Sequence, residues 1–153
     1  MLGGAELRRE CSRLPVRGPP GSDVRCPQGE VAVTRATGGL AASFNCIVHA
    51  VPPFFALTAS GEPCPDWRAR LEGCWLHALE AAQPHAEAVV APLIGAGARG
   101  APVEHAARVA AGAAASWLRA AAPEPAGTRE LYLSVQSEIL CEILRSELRA
   151  ALQ

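Results

Sequence analysis

The chain has 153 residues, half of them hydrophobic, and its 14 basic and 15 acidic side chains leave a formal net charge of −1. This length suits one domain with its own core, which we expect residues 1–153 to form. The hydrophobic content excludes a disordered chain, and the charge balance excludes a nucleic-acid-binding surface built on bulk positive charge.

In chain order, the hydrophobic spacing predicts a short helix over 4–14, strands over 30–35 and 44–51, a helix from Pro65, a strand over 88–94, an alanine-rich helix over 102–122, a turn over 123–127, a strand over 131–135 and a last helix capped by Ser137. Asp66 is the predicted N-cap of the second helix. Because helices and strands alternate, we expect an α/β fold, with helices on both faces of a mixed, largely parallel sheet of about four strands.

The cysteines are scattered and form no Cys-x-x-Cys motif. Cys46 falls in a strand pattern, and Cys74 and Cys141 fall in helix patterns, so we expect reduced thiols that face the core. The first residues lack the apolar run of a signal peptide, and no apolar stretch is long enough to span a membrane. These features predict a cytoplasmic or nuclear protein.

A glycine-rich loop follows the predicted strand over 88–94. It consists of Gly95, Ala96, Gly97, Ala98, Arg99 and Gly100, and a helix is predicted to begin just beyond it. Small residues allow a ligand to approach the backbone closely, and a helix N-terminus adds a positive partial charge. Because ligands of α/β folds bind at the carboxyl ends of strands, this loop is the candidate site for a phosphate.

Other interpretations of the loop are weaker or less specific. Its glycines match Gly-x-Gly-x-x-Gly, but the next strand ends near Gln136, too late and without the acidic residue of a dinucleotide site. The loop also lacks the Gly-Lys-Ser/Thr ending of a P-loop. A turn that needs small residues only for packing is the remaining alternative.

The other polar candidates favour structural roles. His49 ends a buried strand, where a bracing histidine is commoner than a catalytic base, and Glu6 and Glu10 fit a solvated helix face. Four residues could be metal ligands, namely Cys64, Cys74, His77 and His85. Their spacing matches no structural zinc pattern, so we expect neither a metal nor a cofactor. No Ser-His-Asp or Cys-His set can be assembled, and the catalytic residues, if any, are unknown.

Five segments in order resemble the macro domain, an ADP-ribose-binding module. Residues 26–34, which begin Cys-Pro-Gln-Gly-Glu, are similar to the family's Cys-Pro-Thr-Gly-Glu-Ala-x-x-Thr segment. Residues 46–53, which contain Val-His-Ala-Val, are similar to its Val-Ile-His-Ala-Val-Gly-Pro strand. The remaining segments are 2–11, 71–79 and 89–102. The resemblance implies a three-layer α/β/α sandwich in which the 95–100 loop wraps a diphosphate.

The chain also departs from the family pattern. The chain begins within the family's first helix, so the family's first strands and their Asn- and Gly-rich loop have no counterpart. In the family, those parts contact adenine and the distal ribose. Without them, we expect an exposed sheet edge or face. Gly95-Ala96-Gly97 replaces Ser-Thr-Gly, Gln136 stands where many members have an aromatic residue, and Pro52 replaces a glycine.

The resemblance therefore implies a protein that binds ADP-ribose or ADP-ribosylated proteins. An ADP-ribosyl hydrolase of the deacylase type and a degenerate macro fold that serves as an interaction scaffold are the alternatives.

Overall fold

A computed structural model describes residues 3–120 and 130–153. In chain order the elements are α1 (Gly4–Arg13), β1 (Val31–Arg35), a 3-10 helix (Gly38–Ala42), β2 (Cys46–Ala50), α2 (Pro65–Ala82), β3 (Ala88–Pro92), α3 (Val103–Arg119), β4 (Glu130–Ser134) and α4 (Glu138–Leu152). The α/β class is confirmed, and the predicted turn over 123–127 lies outside the described residues. None of the described helices is long and apolar enough to cross a membrane.

The described residues contain four strands of mixed direction, as expected, but the strands form two separate pairs rather than one continuous, largely parallel sheet. β1 and β2 are antiparallel, with Val31 opposite Ala50, because the connection over 36–45 is too short for the crossover that parallel strands require. β3 and β4 are parallel, with Pro92 opposite Ser134, and α3 provides the crossover between them. Half of the strand pairing is therefore parallel.

The core lies where α2 and α3 meet β3. Trp67, Leu71 and Trp75 of α2 are almost fully buried and pack with alanines of α3 and with Ala91 of β3. α3 contacts both α2 and α4, so it is buried over most of its circumference, and its alanines let the neighbouring helices approach closely. Leu118 lies near the end of α3 and is 36% exposed.

The two predicted helix caps have different outcomes. Ser137 caps α4 as predicted, since its hydroxyl accepts a hydrogen bond from the N–H of Leu140 at 3.2 Å. The prediction for Asp66 is wrong: Cys64 is the N-cap of α2 and Pro65 its first residue. Proline favours this first position because its ring fixes φ and it lacks an N–H to leave unpaired.

Candidate functional site

The glycine-rich loop leaves the carboxyl end of β3. Since β3 and β4 are parallel and end together at Pro92 and Ser134, the segment that contains Gln136 leaves the same edge. This edge is where ligands of α/β folds bind. The loop therefore lies where the strand order predicts a site.

Two glycines set the path of the loop. Gly95 and Gly100 have φ angles of +95° and +77°, in the left-handed region that residues with a side chain adopt only at a cost. A Cβ atom at Gly95 would also lie 3.3 Å from both Cδ atoms of Leu71. The loop is closed internally by bonds from the Gly100 N–H to the Gly97 carbonyl at 2.9 Å and from the Ala101 N–H to the Gly95 carbonyl at 3.2 Å.

Several N–H groups of the loop remain available. Within the described residues, the backbone N–H groups of Ala96, Gly97, Ala98 and Arg99 have no hydrogen-bond acceptor. Gly97 is exposed, its φ lies outside the left-handed region, and a Cβ atom there would meet nothing within 4 Å. Consecutive unpaired donors beside open space suit an oxyanion ligand. The N–H of Gly100, in contrast, is used to close the loop.

The N-terminus of α3 adds to the positive character of this region. Pro102 is the N-cap and offers no capping side chain. The first backbone N–H that forms a hydrogen bond within the helix is that of Ala106, which donates to the Pro102 carbonyl at 3.1 Å. The unsatisfied N–H groups of the first turn carry the positive end of the helix dipole.

The segment after β2 braces the loop. The N–H of Phe55 donates to the Arg99 carbonyl at 2.9 Å. The Phe55 ring packs edge-on against Trp67, with centroids 4.8 Å apart, and stacks on His105 at 6.0 Å. The Arg99 guanidinium lies 4.3 Å above the centre of the Phe54 ring. The two phenylalanines thus hold the arginine end of the loop.

Sequence reasoning missed Phe54 and Phe55. Their position directly after an apolar strand and Pro52-Pro53 was a usable signal, because segments that follow neighbouring strands converge at one edge of an α/β fold. Their contacts with the loop depend on tertiary packing, which no local pattern contains.

His49 has the bracing role that its position predicted. Its Nε2 atom lies 2.9 Å from Oγ1 of Thr34 and 3.7 Å from Sγ of Cys11. Partial burial lowers the pKa of the imidazole below its ordinary value of 6.5, so the ring is mainly uncharged at neutral pH. It therefore links α1 to the β1–β2 pair, on a different part of the fold from the loop.

The carboxylates at the start of the chain are also structural. Glu6 is exposed, and the Glu10 carboxylate lies 2.7 Å from the Arg13 guanidinium and 3.9 Å from that of Arg35. Glu6 therefore fits the solvated face expected for it, whereas Glu10, with a side chain only 17% exposed, is held in ion pairs rather than freely solvated.

All six cysteines are free thiols, and two of those with a raised pKa are poor nucleophiles. Burial raises the pKa of Cys74 to about 11. The pKa of Cys26 is also raised, mainly by burial and to a lesser extent by the negative charge of Glu30. Thiols in this state stay protonated at neutral pH.

The described residues contain no group of three or more His, Cys, Asp or Glu side chains that could hold a metal ion.

Comparisons with known proteins agree with the resemblance. The family model described as Macro domain matches residues 2–110. A mutant macrodomain from Oceanobacillus iheyensis is 25% identical in sequence with a TM-score of 0.71, and the match covers 97% of this chain and 69% of that one. A search of curated proteins finds no match.

Two other similar structures contain nucleotides. The Oceanobacillus iheyensis macrodomain with ADP is 25% identical, with a TM-score of 0.62 over 83% of this chain and 60% of that one. The Trypanosoma brucei macrodomain in complex with ADP is 18% identical, with a TM-score of 0.62 over 81% of this chain and 47% of that one, and shows similarity of fold alone. The chain therefore spans less than two thirds of the length of several solved relatives.

Proposed function

Because this chain belongs to the macro domain family, we propose that it binds ADP-ribose or ADP-ribosyl groups, with residues 95–100 holding the diphosphate. The observation that carries the proposal is the row of N–H groups from Ala96 to Arg99, which have no acceptor among residues 3–120 and 130–153 and lie beside the open space at Gly97. Similar Oceanobacillus iheyensis macrodomain structures contain ADPR and ADP, and a diphosphate is common to both ligands.

The electrostatics of the loop support an anionic ligand. Arg99 is the only ionisable side chain between residues 93 and 102, so the segment carries no negative charge to repel a phosphate. The uncapped N-terminus of α3 follows directly. Backbone donors and a helix dipole together are sufficient for phosphate binding without a basic cluster. In this proposal, Ala96 to Arg99 donate to phosphate oxygens, and Gly95 and Gly100 hold the turn.

Binding is favoured over hydrolysis of ADP-ribosyl linkages. A hydrolase must place a water against the anomeric carbon, with a titratable group to activate it. The loop offers only Arg99, and a guanidinium cannot accept a proton. The bracing residues Phe54 and Phe55 are apolar. The proposal is therefore a binding module for the ADP-ribosyl group.

Isothermal titration calorimetry with ADP-ribose, ADP and adenosine tests this function. We expect ADP-ribose and ADP to bind and adenosine to bind far more weakly, because adenosine lacks the diphosphate. Equal affinity for adenosine and ADP would contradict the role of the loop. Absence of binding by ADP-ribose to the folded chain would leave the interaction scaffold as the better account.

A further inference from the structure

A short hairpin lies between β2 and α2, directly beside the glycine-rich loop. Its two arms meet at an antiparallel bridge between Leu57 and Pro63. Two backbone hydrogen bonds flank this bridge, from the N–H of Thr58 to the Glu62 carbonyl at 2.7 Å and from the N–H of Cys64 to the Ala56 carbonyl at 2.9 Å. We call residues 55–64 the flanking hairpin. Its bonds hold the first arm in an extended form that has an inner and an outer edge.

The outer edge of the flanking hairpin faces the loop. There the N–H of Phe55 donates to the Arg99 carbonyl at 2.9 Å. In an antiparallel pair, alternate residues of a strand direct their backbone groups to the same edge. Ala56 and Thr58 use theirs to bond the second arm. The backbone groups of Leu57 therefore point to the outer edge, together with those of Phe55.

This outer edge offers open hydrogen-bonding groups. Within residues 3–120 and 130–153, the N–H of Leu57 has no acceptor, and the carbonyls of Phe55 and Leu57 accept no hydrogen bond. Residues two apart in a strand are separated by about 6.8 Å, so the open groups begin directly beside the bond to Arg99. An extended polypeptide fits such an edge, because it supplies N–H and C=O groups at the same spacing.

Two large apolar side chains accompany the open edge. Phe54 is 61% exposed and Leu57 is 56% exposed. The Arg99 guanidinium lies 4.3 Å from the centre of the Phe54 ring, so this apolar surface is continuous with the loop that we assign to the diphosphate. Exposed apolar side chains beside open backbone groups are typical of a surface that contacts another polypeptide.

Two parts of the proposed ligand are candidates for this surface: its aromatic base and the polypeptide to which an ADP-ribosyl group is attached. A base would cover the Phe54 ring, but one face of that ring is already occupied by Arg99. A base also has no repeating N–H and C=O groups to match those of Leu57. An extended polypeptide covers both apolar side chains and bonds the open edge at once, so the observations favour the polypeptide.

We propose that the polypeptide that carries the ADP-ribosyl group lies in extended form along the outer edge of the flanking hairpin. Its backbone bonds the N–H and C=O of Leu57, and its apolar side chains cover Leu57 and Phe54. This inference rests on the proposed function, because the loop must hold the diphosphate for the attached chain to reach the edge. It makes a modified polypeptide with apolar residues around the modified position a tighter ligand than free ADP-ribose.

Calorimetric titration of the full chain with three ligands tests the proposal. They are free ADP-ribose, the peptide Lys-Val-Ile-Ser-Ile-Val-Lys with ADP-ribose attached to its serine, and the matched control Lys-Gly-Gly-Ser-Gly-Gly-Lys modified in the same way. We expect the apolar peptide to bind at least about fivefold more tightly than free ADP-ribose, and the glycine peptide to stay within about twofold of it. Binding of ADP-ribose without a gain for the apolar peptide overturns this inference alone. Absence of binding by all three ligands overturns the proposed function as well.

Hydrogen exchange shows whether the peptide backbone pairs with the hairpin. The apolar peptide should slow exchange of the Leu57 amide at least about tenfold more than free ADP-ribose does at equal saturation. Equal exchange of that amide with both ligands contradicts backbone pairing.

A variant of the hairpin identifies the side-chain contact. Leu57→Ser should reduce the gain of the apolar peptide to less than about twofold and leave the affinity for free ADP-ribose unchanged. Ile139→Ser is the matched control, because Ile139 is 70% exposed on α4, outside the flanking hairpin, and it should retain the full gain. A gain that survives Leu57→Ser, or an equal loss for free ADP-ribose and the apolar peptide, contradicts a contact with the attached chain.

Discussion

The backbone N–H of Phe55 donates to the carbonyl of Arg99 across 2.9 Å, so the segment after β2 holds the loop after β3. The Phe55 ring is anchored in turn against Trp67 of the core. The shape of the proposed diphosphate site therefore depends on a residue outside the loop.

Replacing Phe55 is expected to destabilise both the fold and the loop. Phe55→Ala removes a partly buried ring from Trp67 and His105 and should cost about 2–3 kcal/mol of unfolding free energy. Urea denaturation measures this loss. Phe54→Ala is the matched control, because Phe54 is 61% exposed, and its cost should stay below about 1 kcal/mol. Similar losses for the two variants would show that Phe55 does not anchor the loop.

Gly95 and Gly97 are expected to respond differently to alanine. Gly95→Ala places a side chain at φ +95° and 3.3 Å from Leu71, which should cost about 1–3 kcal/mol. Gly97→Ala meets open space at an ordinary φ, and its effect should stay within about 0.5 kcal/mol. Thermal unfolding of both variants checks the difference. A strongly destabilised Gly97→Ala protein would mean that the loop has another conformation.

The stability of the chain should fall in mild acid because of His49. Burial lowers the pKa of folded His49 below its ordinary value of 6.5, so the unfolded state binds the proton more readily. This contribution to stability is complete above pH 6.5 and is lost as the pH falls through the folded pKa. Urea midpoints at about pH 7.5 and 5.5 measure the loss.

His49→Gln should reduce this pH dependence, because glutamine does not titrate but can still hydrogen bond to Thr34. The exposed His77→Gln serves as the control and should retain the wild-type dependence. If the two variants behave alike, His49 is not the responsible group.

Cys74 should be the slowest cysteine to react in the folded protein. It is fully buried, with a pKa of about 11, whereas Cys141 is partly exposed. Timed iodoacetamide labelling at about pH 8, read by mass spectrometry, should modify Cys141 well before Cys74. After unfolding without reductant, all six thiols should be alkylated. Two or more blocked pairs would reveal native disulfides and contradict a reducing compartment.

The sequence was most informative where a local pattern determines the structure. An apolar strand followed by Gly95–Gly100 located the loop, and Ser137 located the start of α4. The pairing of β1 with β2 followed from the short connection between them, which outweighed the general alternation of helices and strands. Among the described residues, the free edges of β2 and β3 agree with the exposed edge that the resemblance predicted. The contact of Phe55 with Arg99 depends on distant segments and could not be derived from periodicity.

ADP-ribose titration of three folded variants shows whether the loop backbone binds the diphosphate. A carboxylate at Gly97 would repel the phosphates by between about 1 and 4 kcal/mol, depending on solvent screening. Gly97→Asp should therefore weaken binding at least about fivefold, and up to about a thousandfold. Gly97→Ala, the matched control for Gly97→Asp, separates the charge from the added side chain. Arg99→Ala removes one partly exposed cation and should cost about 1 kcal/mol or less. Wild-type affinity in a Gly97→Asp protein whose circular dichroism shows it to be folded would place the ligand elsewhere.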